Sequence, residues 1–204
     1  MISICPNCGS TKGNKEVPKN ENQIYCPDCG HRWPFKKMPL FVLTGASGVG
    51  KTSILQELMQ NETKYICMEQ DIVYFLPHNT PEEASFKREV IMGMAKNISQ
   101  IGIPVVIGAA SLPEQFENTH TRRFFSEIYY MALVCEPMAL EIRMRDGRKI
   151  DDADWIESSV DFNNWFIENG EKQNPKIEIC DITGKTVKEV ATIVDKWVLS
   201  KLHT

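Results

Sequence analysis

Gly45-Ala46-Ser47-Gly48-Val49-Gly50-Lys51-Thr52 carries the sharpest chemical signal in the chain. Gly45, Gly50, Lys51 and Thr52 meet the spacing G-x-x-x-x-G-K-[ST]. Glycines in such a turn let the backbone curl until successive N–H groups converge on an anion. A helix opening near Lys51 adds the positive end of its dipole. Lysine at this place can reach β- and γ-phosphates, and the threonine hydroxyl beside it can take Mg²⁺. The expected ligand of residues 45–52 is therefore a nucleoside triphosphate with Mg²⁺. The flanks agree. Leu40 to Thr44 reads as a buried strand, and Ile54, Leu55, Leu58 and Met59 recur at helical spacing after the turn.

The second constellation is Cys5-Pro6-Asn7-Cys8 and Cys26-Pro27-Asp28-Cys29, with 17 residues between the pairs. That spacing meets a four-cysteine zinc pattern. Four thiolates suit a closed, tetrahedral, structural Zn²⁺ site. Two disulfides or a redox pair are the alternatives, and a reducing compartment disfavours disulfides. Gly9 and Gly30 follow the pairs, and the segment resembles a zinc ribbon with two C-P-x-C-G knuckles. So small a module has too little core to fold unaided, and metal binding would supply the missing free energy. Gln23 to Tyr25 and His31 to Trp33 read as its short strands, and Thr11 to Asn22 as an exposed loop. His31 reads as a surface residue, because four cysteines already satisfy zinc. Cys67, Cys135 and Cys180 lie in apolar strands and read as small core residues.

Composition sets the elements that must position these groups. Of 204 residues, 42% are hydrophobic and 25% charged, as in ordinary globular proteins. No apolar run approaches the roughly 20 residues that span a bilayer. The N-terminus lacks a basic region followed by an apolar one, so no signal peptide is expected and a cytoplasmic protein is. Residues 1–38 hold six Lys/Arg against three Asp/Glu, and the rest 17 against 24. The acidic body argues against wide nucleic-acid contact there. The expected domains are a ribbon with its linker, 1–37, and a larger body, 38–204.

In that body, strands are expected at 40–44, 65–68, 103–107, 129–135 and 176–180. Helices are expected at 51–60, 81–101 and about 186–202. Pro81 suits a helix start, with Thr80 and Glu83 forming a capping box. Strands alternating with helices predict an α/β fold with a five-stranded parallel sheet flanked by helices. There is no Asn-Lys-x-Asp guanine-reading motif, and the third strand ends in Gly108 where a motor ATPase would carry an acid.

From Met38 onward the chain resembles the nucleoside and nucleotide kinase-like group of P-loop proteins, which includes gluconate, shikimate and chloramphenicol phosphotransferase types. The resemblance rests on residues 45–52 and on Asp71 after the second strand. It rests also on Ala132 to Pro137 followed by Arg143-Met144-Arg145-Asp146-Gly147-Arg148, and on Cys180-Asp181-Ile182-Thr183 before the last helix. It implies a P-loop kinase fold, ATP as donor, an acceptor beyond the strand ends and a lid after the fourth strand.

The candidate catalytic residues are Lys51, Asp71, Arg143, Arg145 and Arg148. Asp71 is read as a general base for an acceptor hydroxyl or as a Mg²⁺ ligand through water, against the plainer reading of a turn cap; Glu69 is the fallback. The arginines suit phosphate because guanidinium donates bidentately and stays charged. Arg143 could instead be a surface residue paired with Glu141 or Asp146. Arg122 and Arg123 read either as approaching substrate or as a solvated helix face. Asp151 to Gly170 reads as a packed helix rather than an aromatic acceptor pocket, with Asn163 and Asn164 as residues that could face a ligand. His78 and His120 show no partner.

Two functions follow from these readings. The first is ATP-dependent phosphoryl transfer to a nucleoside, nucleotide or other hydroxyl metabolite. The second is an ATP-binding switch or adaptor whose ribbon contacts nucleic acid or protein. There Tyr25, Trp33 and Phe35 would either stack on bases or form the ribbon's small core.

Overall fold

Five parallel strands make the central sheet of the computed structural model, which describes residues 4–18, 21–77 and 79–202. They are β3 (Leu40–Thr44), β4 (Ile66–Glu69), β5 (Val105–Gly108), β6 (Ile128–Val134) and β7 (Ile177–Asp181), after an N-terminal pair β1 (Gln23–Tyr25) and β2 (Arg32–Pro34). The order across the sheet is β4-β5-β3-β6-β7. The helices are α1 (Lys51–Met59), α2 (Pro81–Ile98), α3 (Glu114–Glu117), α4 (Pro137–Ile142), α5 (Ala153–Asn169) and α6 (Val187–Leu202). The expected parallel α/β architecture is present.

β3 explains why the sheet has helices on both faces. All five of its residues are buried, so alternation sends apolar side chains to each side. Phe41 and Leu43 pack with Ile54, Leu55 and Leu58 of α1 and with Val194 and Trp197 of α6. Leu40 and Val42 pack with Ile91, Met92 and Ala95 of α2 and with Phe166 of α5. β3 is central, paired to β5 on one side and β6 on the other. The chain leaves its carboxyl end where the strand order reverses, which is where open α/β sheets take their ligands.

Several boundaries move by a residue or more. β4 runs on to Glu69, so Asp71 lies not at a strand end but in the 3₁₀ turn Gln70–Val73. α2 stops at Ile98 and tightens into a 3₁₀ turn, Ser99–Ile101, closed by Gly102 at φ 92°. Its start is as expected: Glu83 N donates to Thr80 Oγ1 at 3.2 Å while Thr80 N donates to Glu83 Oε2 at 3.3 Å. His78 lies outside the described residues.

The N-terminal module is seated on the body. β1 and β2 pair antiparallel, with Ile24 opposite Trp33. Ile24, Val17 and Phe35 join Phe124 of the body in one apolar cluster, with Trp33 partly buried against it. Phe35 is buried, 5.6 Å ring to ring from Phe124, which removes it as a base-stacking residue. The linker is tied as well: Lys36 N donates to Gln100 Oε1 and Gln100 Nε2 returns a bond to Lys36 O, both at 2.9 Å.

Candidate functional site

The glycine turn wraps the carboxyl end of β3. Gly45, Gly48 and Gly50 all have positive φ, at 136°, 78° and 113°. Two of them are also held by space. A Cβ on Gly45 would lie 2.5 Å from the Leu133 carbonyl oxygen, and one on Gly48 would lie 2.5 Å from Met144 Cγ. The turn is therefore closed to larger residues on steric grounds, and it borders a cleft of about 770 Å³. Ser47, Gly48, Gly50, Lys51 and Thr52 line one wall of that cleft; Glu69, Gln70, Asp71 and Lys87 line it too.

Lys51 folds back on its own turn, donating to the Gly45 carbonyl at 2.8 Å and the Ala46 carbonyl at 2.9 Å. Burial lowers its ammonium to about 8; the charge of Asp71 opposes this and that of Arg148 adds to it. Thus Lys51, Asp71 and Arg148 are electrostatic neighbours, although they come from a helix start, a 3₁₀ turn and the segment after α4.

The three lid arginines part company. Arg148 lines the cleft, with its guanidinium carbon 5.5 Å from the centre of the Trp155 ring. Arg143 braces the glycine turn, its Nη1 donating to the Val49 carbonyl at 3.2 Å. Arg145 points away, into an exposed pair with Glu141 at 2.8 Å. They separate because positions two and five residues apart on a helical turn, here the π turn 143–147 and the residue after it, project in different directions around the axis.

Glu69 holds a group that geometry leaves unanswered. Its Oε1 is buried and has no hydrogen-bond partner among the described residues, and Glu69 lines the cleft. An unpaired buried carboxylate oxygen is costly unless a cation or a hydroxyl meets it. Together with the Thr52 hydroxyl it fits the demands of Mg²⁺, a hard ion that prefers oxygen ligands and water.

Behind this wall runs a buried polar network. Thr44 Oγ1 donates to the Ser111 carbonyl at 2.6 Å, and Ser111 N returns a bond at 3.2 Å. Arg88 of α2 donates to Ser111 Oγ at 2.6 Å and bonds Gln70 Oε1. Gln70, Lys87 and Arg88 carry no sequence signal of a site, and Trp155 corrects the packed-helix reading of 151–170 at its first turn, because its exposed ring lines the cleft. Helical spacing alone does not say which turn of α2 or α5 overlooks a cleft formed by other elements.

Other expectations are corrected. Arg122 bonds Glu117 at 2.5 Å and the Phe125 carbonyl at 3.0 Å, while Arg123 bonds backbone carbonyls of the ribbon, so neither approaches substrate and neither is a merely solvated face. Asn163 faces no ligand. It is fully buried and pairs with both backbone groups of Cys135, at 3.0 and 2.8 Å.

The Sγ atoms of Cys5, Cys8, Cys26 and Cys29 all lie within 4.8 Å of one another, with Cys5–Cys29 at 3.6 Å and Cys8–Cys26 at 3.9 Å. A zinc tetrahedron with Zn–S near 2.3 Å has sulfur edges of about 3.8 Å. The four thiols fit that ion, and they are too far apart to be disulfides. Gly9 and Gly30 take positive φ, 70° and 75°, and their N–H groups close each knuckle on Cys5 O and Cys26 O.

No family model and no curated protein matches this sequence. The structure does have relatives in shape. It is similar to a sugar kinase from Janibacter sp. at TM-score 0.57 and 15% identity, covering 80% of this chain and 95% of that one. It is similar to a gluconokinase from Sinorhizobium meliloti at TM-score 0.53 and 13% identity, covering 81% and 97%. It is also similar to shikimate kinase from Acinetobacter baumannii, solved with shikimate, at TM-score 0.54 and 12% identity, covering 80% and 94%. At such identities the likeness establishes the fold, which is that of P-loop kinases.

Proposed function

We propose that the chain is an ATP-dependent phosphotransferase acting on a hydroxyl of a small-molecule acceptor. The observation that carries this reading is the single cleft in which Lys51 and Thr52 face Glu69 and Asp71, with Arg148 at the rim. An ATPase that only switches needs the first pair; the acids and the free volume beside them suit a second substrate. Residues 1–37 are read as a zinc ribbon and 38–204 as the kinase body.

The roles follow from charge and position. The turn at 45–52 and the Lys51 ammonium hold the β- and γ-phosphates. Thr52 and Glu69 would hold Mg²⁺, which supplies charge neutralisation on the phosphate oxygens. Asp71 orients the acceptor hydroxyl and takes its proton as the new O–P bond forms and the γ-phosphorus separates from the bridging oxygen of ADP. Arg148 neutralises charge on the transferred group, and Arg143 keeps the turn in shape. Phosphoryl transfer asks mainly for this positioning and electrostatic support. The buried Phe35 and Ile24 support a structural ribbon over a nucleic-acid adaptor, because its apolar side chains are already used on the body.

The test is ADP release from MgATP in the presence of nucleosides, nucleoside monophosphates, sugar acids, and aminoglycoside- or chloramphenicol-like compounds. Release stimulated by one class, and absent in Lys51→Ala, identifies the acceptor. ATP binding with no stimulation by any of them would move the assignment to a nucleotide-dependent adaptor.

A further inference from the structure

Arg88 and Glu89 are consecutive on α2, so they point about 100° apart around its axis. Arg88 turns toward the sheet. It is 8% exposed, bonds Gln70 and Ser111, and lies 4.6 Å from the centre of the Phe116 ring. Its hydrogen-bond partners are neutral and its Nε has none, so no ion pair among the described residues pins it in place. Gln70, which it positions, lines the cleft.

Glu89 turns the other way. Its carboxylate accepts from His120 N, from Thr121 N at 3.1 Å and from Thr121 Oγ1 at 2.6 Å. It thereby holds the turn His120–Phe124, and that turn carries the ribbon. Arg123 Nη2 donates to the Gly13 and Lys15 carbonyls, each at 2.9 Å, and His120 Nε2 lies 3.1 Å from Gly13 O. Within the ribbon, buried Lys15 donates to Ser10 Oγ at 3.2 Å and to Lys12 O at 3.0 Å. Ser10 in turn bonds Asp28, between Cys26 and Cys29. An unbroken series of bonds thus joins the cysteine cluster to the cleft.

We propose that the metal-bound ribbon is a positioning element for the acceptor wall: through Arg123 and Glu89 it sets the register of α2, and so the places of Lys87, Arg88 and Gln70. This rests on the phosphotransferase reading for its consequence in catalysis, not for the coupling itself. A contiguous series of contacts transmits nothing unless one end has two states. The ribbon would have them, because its own apolar core is only Val17, Ile24 and Phe35 and metal binding would supply much of its folding free energy. Losing it takes four hydrogen bonds from Arg123 and His120 and uncovers Phe124.

The full-length protein tests this in three forms: zinc-stripped wild type, zinc-loaded Arg123→Ala and zinc-loaded Glu89→Gln. Hydrogen exchange is followed by peptide, and ATP binding by displacement of a fluorescent ATP analogue. Exchange across 85–95 is expected to accelerate roughly tenfold in all three, with β6 and α6 unchanged. ATP affinity should move less than about twofold, and Arg123→Lys, which keeps a donor for one carbonyl, should restore part of the protection. Where an acceptor is known, its KM should rise about five- to tenfold with kcat nearly constant. Faster exchange confined to residues 5–35 would overturn the proposal, as would a matching loss of ATP affinity. Neither readout needs turnover, so a chain that phosphorylates nothing still decides the question.

Discussion

Gly108, the last residue of β5, lies so close to Leu55 of α1 that a Cβ added there would be 2.6 Å from Leu55 Cδ1. Leu55, on the helix that follows the glycine turn, therefore occupies the space of a side chain at Gly108, the position where a motor ATPase would carry its acid. Across the sheet Gly108 is in register with Glu69 of β4. The acid at this level of the sheet is thus on the neighbouring strand, where Glu69 lines the same cleft as Lys51 and Thr52.

Gly108→Ala should consequently overpack the α1–β5 contact, costing about 1–3 kcal/mol. Urea unfolding in two backgrounds checks the cause. In a Leu55→Ala chain the added cost of Gly108→Ala should largely vanish, and an equal cost in both would discard the contact as the reason.

Asp71→Asn and Glu69→Gln should fail differently. Loss of a general base lowers kcat by about 10²–10⁴ with little change in Mg²⁺ requirement. Glu69→Gln should instead raise the Mg²⁺ concentration needed for half-maximal rate. Initial rates over a magnesium series separate the two, and identical profiles would refute the division of labour.

The depressed ammonium of Lys51 has a signed consequence. Burial brings it down to about 8, so the charged form, the one that would bind phosphate, predominates below that pH and is lost above it. kcat/KM for MgATP, which reports the free enzyme, should fall as pH rises through about 8. A limb that appears only near the ordinary lysine range would show that Lys51 is less desolvated than its surroundings imply.

The purified protein should carry one zinc per chain by atomic emission, and Cys26→Ser should weaken retention by more than roughly a hundredfold, since the closed set of four thiolates is broken. Stoichiometry near zero in protein made under reducing, zinc-replete conditions would count against the site.

Asn163→Ala should destabilise the fold without touching ligand affinity. It leaves the buried Cys135 N–H and carbonyl unpaired, at about 1–3 kcal/mol for each. A change in acceptor KM with no change in unfolding midpoint would restore the ligand-facing reading.

Much of this protein is legible in one dimension because its signals are local. The turn at 45–52, the cysteine pairs, the Thr80–Glu83 capping box and the fully buried β3 each depend on residues within a few positions of one another. Spacing alone therefore marks the glycine turn, the four-cysteine cluster and the parallel sheet. What the tertiary structure alone decides is which side chains meet across elements. Arg148 lines the cleft, Arg143 meets the Val49 carbonyl and Arg145 meets Glu141, although all three look alike in sequence. Burial leaves Glu69 Oε1 unanswered in the same cleft that Asp71 lines. Arg123 serves the ribbon and Asn163 serves a strand end, because their partners lie 108 and 28 positions away. Such pairings depend on how the layers pack, and packing is set by the sum of many apolar contacts rather than by any short run of residues.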